Sequence, residues 1–101
     1  MNALHESAIE QIASHYDYYQ QRDIFVEECA EAIQAAQKCK RYPGADTRKH
    51  LSEEVADVLI MAEQMRLYLG ADNVDSFVNQ KLQRQLDRII DEKGIAADDY
   101  N

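Results

Sequence analysis

The sequence predicts an all-α protein, an antiparallel helical bundle of about four helices completed by oligomerisation. Three observations carry this. Three glycines and one proline in 101 residues leave few breaks, so the elements are few and long. Alanine, glutamate, glutamine, leucine and isoleucine are abundant and tryptophan is absent, a helix-forming composition. No stretch alternates apolar and polar residues as a half-buried strand does.

The elements follow from the breaks. "YPGAD" at 42–46 and "LGADN" at 69–73 are the strong ones. Pro43 and Gly44 cannot continue a helix, and Asp46 or Thr47 can cap the next. Gly70 reads as a C-terminal stop with Asp72 or Asp75 capping the helix beyond it. A weaker break falls near Gln21–Asp23, where one apolar phase ends and another begins. The expected helices are therefore roughly 3–20, 23–41, 47–69 and 73–92 in a single domain spanning 1–101, with a frayed acidic tail over 94–101. Tyr16 and Tyr19 share a stripe with Ile9 and Ile12 and read as core.

The third helix has two apolar faces. Leu51, Val55, Val58, Ala62, Met65 and Leu69 line one, while Ala56, Ile60 and Leu67 lie nearly opposite. A helix apolar on two sides is buried on two sides. A chain this short has difficulty covering both, which predicts a homodimer or homotetramer.

Charge and length exclude some functions. A net charge of −8 argues against an electrostatic grip on nucleic acid. No apolar run approaches the length of a membrane span, and "MNALHESAIEQ" lacks the basic start and apolar stretch of a secretory signal. Cys29 and Cys39 lack metal-ligand spacing and read as free thiols of a cytoplasmic protein.

Chemistry enters through carboxylates in the wrong place. At about 100° per residue, Glu54 falls between Met61 and Met65 inside the apolar arc of the third helix, with Asp57 at its edge. On the second helix Glu28 falls between Ala32 and Ala35, and Glu31 borders the same arc. Residues three apart are neighbours on a helix, so each pair offers two carboxylates to one point. The two pairs are also mirrored: their midpoints lie 13 residues before and 13 residues after the Tyr42–Pro43 junction. A hairpin folded there brings all four to one height. Four like charges in a partly apolar cleft are strongly unfavourable unless a cation joins them. Oxygen-only ligands select a hard ion, Mg²⁺ or Mn²⁺. Acidic pairs also arise by chance in so acidic a chain, as Glu6 and Glu10 illustrate; position within the apolar arcs separates these two from that background.

"EECAE" at 27–31 and "EEVADVL" at 53–59 together resemble the E-x-x-E…E-x-x-D signature of the MazG-like all-α nucleoside triphosphate pyrophosphohydrolases. The resemblance covers about residues 23–69 well and the last helix loosely. It implies Mg²⁺-dependent cleavage of a nucleoside triphosphate between the α and β phosphates, giving a monophosphate and pyrophosphate. It makes Glu28, Glu31, Glu54 and Asp57 the metal ligands and Glu27 and Glu53 candidates for activating water. It also implies basic residues on the last helix. Lys81, Arg84 and Arg88 fall within roughly 60° of one another there and are the expected phosphate contacts.

Other basic and aromatic groups carry less. Lys38, Lys40, Arg41, Arg48 and Lys49 surround the 42–46 turn and read chiefly as a helix end and loop. His50, one turn before Glu54, with Gln64 and Tyr68 further along the same stripe, could stack on a base or contact a ribose, but surface or interface is the preferred reading. A di-iron bundle would want Glu-x-x-His pairs, which are missing here. A non-catalytic helical adaptor is the remaining alternative, although all four motif carboxylates are retained.

Overall fold

The computed structural model describes residues 2–94, and the expected acidic tail lies outside them from residue 95 onward. Four helices account for nearly all of the described chain: α1 (Ala3–His15), α2 (Tyr18–Arg41), α3 (Ala45–Leu69) and α4 (Ala71–Lys93), with no strand among the described residues. The all-α expectation is met. Among the described residues no helix is long and apolar enough to cross a membrane. The chain divides into two compact units, Met1–Leu69 and Gly70–Asn101, each described by itself.

In the first unit α1 starts at Asn2, whose side chain accepts the backbone N–H of His5 at 3.0 Å. It buries Ile9 and Ala13. The break after it lies at Tyr16–Asp17, not at Gln21–Asp23 as the apolar phase suggested. Asp17 and Gln20 form a reciprocal capping box: the Gln20 N–H donates to Asp17 Oδ1 at 2.8 Å and the Asp17 N–H to Gln20 Oε1 at 3.2 Å. The apolar phase shifts near residue 21 because a buried polar residue, Gln21, takes an inward position there while the backbone continues as helix.

Helix α3 follows a short turn and begins at Ala45, ahead of the expected cap. Thr47 does not cap it from outside. Its hydroxyl donates back to the carbonyls of Tyr42 and Gly44, at 2.8 and 3.1 Å. The Cys39 thiol donates to the Thr47 carbonyl at 3.2 Å. Farther down, Gln21 Nε2 donates to Gln64 Oε1 at 2.7 Å. These links join rising positions on α2 to falling positions on α3, so the two form an antiparallel hairpin. Helix α1 runs parallel to α3, the Tyr68 hydroxyl reaching the carbonyls of Ala13 and Tyr16.

The core is small: Ile9, Ala13, Ala35, Met61 and Met65, with Gln21 and Gln64 buried among them. Gln64 was expected at the surface and is 1 % exposed. Tyr16 and Tyr19, expected in the core, are exposed. They lie at the α1–α2 corner created by the Asp17 cap, and Tyr19 lies instead near Arg22, whose guanidinium carbon is 5.5 Å from its ring centre. The second apolar face of α3 lies toward α1, where Ala56, Leu59 and Ile60 line an open apolar cleft with Ile9 and Ile12. Ile60 and Ile12 remain about 40 % exposed, so α1 covers this face only partly.

In the second unit Gly70, at φ 100°, is the N-cap of α4 and makes no side-chain cap bond. Asp72 sits in the first turn and is not a cap. A Cβ at Gly70 would stand 3.0 Å from Asn73 Nδ2 in a backbone region that favours glycine. Gly94, at φ 66°, ends α4. No residue of α4 is buried, and Phe77, Val78, Leu82, Leu86 and Ile89 stay exposed.

Candidate metal centre

The hairpin register brings the carboxylates together. Carboxylate oxygens of Glu28, Glu54 and Asp57 all lie within 4.8 Å of one another. Helix α2 supplies one from an inward-facing position and α3 supplies two from adjacent turns. Glu28 and Glu54 are half-buried, and Asp57 opens to solvent. One oxygen of each inner carboxylate, Glu28 Oε2 and Glu54 Oε2, is buried without a hydrogen-bond partner. Buried polar atoms are nearly always paired, so two orphans on carboxyls of one acidic cluster require an explanation.

The electrostatics agree with this geometry. Burial, then repulsion from Glu31, Asp57 and Glu54 and a hydrogen bond with Asp57, hold the Glu28 carboxyl above its usual range. Burial also raises Glu54, followed by Glu31 and Asp57 and a hydrogen bond with Glu31; His50 opposes the rise. The cause in each case is a charge removed from water beside like charges.

The expected residues separate into groups. Glu28, Glu54 and Asp57 converge. Glu31 is exposed and outside the tight trio, but it acts electrostatically on both inner carboxylates. Glu27 and Glu53 are exposed, each one residue before an inner carboxylate. Lys81 and Arg84 line a shallow cleft on α4 with Phe77 and Gln80, and Arg88 is exposed on the same helix. His50, expected chiefly at the surface or an interface, lies beside the trio. Its Nε2 stands 3.8 Å from Glu54 Oε1, and its imidazole is 48 % exposed against 13 % for the Glu54 side chain. The i, i+4 spacing to Glu54 was the available signal.

The donor set, all oxygen, suits a hard divalent cation, and a cation would give both orphaned oxygens a partner. No family model matches the chain, and no curated protein or solved structure compared with it gives a match.

Proposed function

We propose that the chain is a Mg²⁺-dependent nucleoside triphosphate pyrophosphohydrolase of the MazG-like kind, acting in the cytoplasm as a homodimer or homotetramer. The observation that carries this reading is the meeting of Glu28, Glu54 and Asp57 across the α2–α3 hairpin, with two buried oxygens lacking partners. The paired E-x-x-E and E-x-x-D motifs support it from the sequence side. The exposed apolar residues of α3 and α4 support assembly with further copies.

In this reading Glu28, Glu31, Glu54 and Asp57 hold Mg²⁺, with Mn²⁺ as a substitute. When bound, the ion offsets the carboxylate charge and polarises the phosphate oxygens. Glu27 or Glu53, exposed and each one residue before an inner carboxylate, accepts a proton from water. The water oxygen bonds to the α-phosphorus as the bond to the bridging oxygen breaks, and pyrophosphate leaves with that oxygen. The resemblance, and not the geometry, makes Lys81, Arg84 and Arg88 the proposed cationic contacts to the phosphates.

Pyrophosphate release from a mixture of deoxy- and ribonucleoside triphosphates tests the reading. Release should require Mg²⁺ or Mn²⁺ and vanish in Glu54→Gln. Metal-independent release, or none from any triphosphate, would overturn it.

A further inference from the structure

We propose that His50 is a phosphate-contacting residue of the α2–α3 site, an inference that rests on the hydrolase reading above. Two geometric observations support the assignment of His50. It lies one helical turn from Glu54 and seven residues before Asp57, so it shares their side of α3. Its Nε2 stands 3.8 Å from Glu54 Oε1, too far for a hydrogen bond, and its ring has no hydrogen-bond partner among the described residues.

The contact with Glu54 is loose and replaceable. The imidazole is half exposed, whereas the Glu54 side chain is largely buried. A carboxylate engaged with a cation no longer relies on a neighbouring imidazole for charge relief. His50 then has a ring N–H to offer, on the exposed side of Glu54, to a phosphate brought to Glu54 and Asp57.

Two titrations of the full chain separate the possibilities, Mn²⁺ alone by electron paramagnetic resonance and inorganic triphosphate in the presence of Mn²⁺ by calorimetry. In His50→Ala, Mn²⁺ affinity should stay within about twofold of wild type while triphosphate binding weakens about tenfold, the loss of one hydrogen bond to a charged group. His50→Gln, which keeps an N–H donor on a stem of similar reach, should recover most of that loss. Unchanged triphosphate binding in His50→Ala, with wild type binding Mn²⁺ normally, overturns the phosphate contact alone. Parallel loss of Mn²⁺ and triphosphate overturns it too, because His50 then acts only by holding Glu54. Failure of wild type to bind Mn²⁺ at all overturns the hydrolase reading and this inference with it.

Discussion

Gln21 and Gln64 form a buried amide pair across the α2–α3 hairpin, Gln21 Nε2 donating to Gln64 Oε1 at 2.7 Å. Gln64 also donates weakly to Met61 Sδ, at 3.5 Å. Two glutamines in so small a core are stable only as partners, and the pair pins the register that sets the carboxylates opposite one another.

The pair predicts an asymmetric mutational response. Gln64→Met fills the space but leaves the buried Gln21 amide unpaired, which should cost about 1–3 kcal/mol in urea unfolding. Gln21→Met with Gln64→Met removes both polar groups and should return most of that loss. If the double variant is as unstable as the sum of the singles, the two amides do not act as a unit.

The carboxylates predict a pH dependence of definite sign. Glu28 and Glu54 titrate above their ordinary value of 4.5 in the folded chain. Between that value and the raised one the folded state binds more protons than the unfolded state, so apo stability falls as pH rises through the window. Below pH 4.5 the penalty is absent. Glu54→Gln should therefore match wild type in acid and equal or exceed it in stability near pH 8, in the presence of a chelator. Added Mg²⁺ should raise the wild-type melting temperature near pH 8 and leave Glu54→Gln unmoved. A melting temperature indifferent to Mg²⁺ and Mn²⁺ at every pH would mean that no metal site exists.

The cations of α4 predict a loss confined to substrate. Lys81→Ala and Arg84→Ala should each lower kcat/KM about 10- to 100-fold, the size of one charge-assisted phosphate contact, with Mn²⁺ binding intact. Arg41→Ala should lose much less, because Arg41 stands 13 residues along α2 from Glu28, roughly 20 Å at 1.5 Å per residue. Sensitivity at Arg41 with neutral Lys81 and Arg84 would place the phosphate tail at the hairpin end instead.

The partly covered face of α3 predicts assembly. Wild type should sediment as a dimer or tetramer at micromolar concentration, and Ile60→Asp should dissociate it while circular dichroism keeps its helical signal. Ile60 is 40 % exposed in the single chain, so a charge there has solvent to reach once the neighbour leaves. A stable wild-type monomer would refute this.

Much of this molecule was legible in its letters because its signals are local. Pro43 and Gly44 end one helix and Gly70 another, through backbone restrictions that act whatever surrounds them. Glu28 and Glu54 could be found because helical periodicity is rigid enough to tell an inward glutamate from an outward one, and the mirrored spacing about the turn foretold that Glu28 would lie near Glu54 and Asp57. The capping box of Asp17 and Gln20 was equally local and present in the sequence, but the tyrosines around it masked it as an apolar stripe.

What only the tertiary structure decided depends on relations between helices. The burial of Gln21 and Gln64 could not be read from either residue, because a polar side chain enters a core only when its partner arrives from another helix, 43 positions away. The same holds for which carboxylates form the tight trio. Glu31 and Asp57 occupy equivalent places in their motifs and are both exposed, yet the crossing of α2 and α3 brings an Asp57 oxygen close to Glu28 and Glu54 and leaves Glu31 outside the trio. Periodicity fixes direction around one helix axis to within a few tens of degrees. Selecting three oxygens within 4.8 Å requires the distance and angle between two axes, and those are set by side-chain packing across the hairpin.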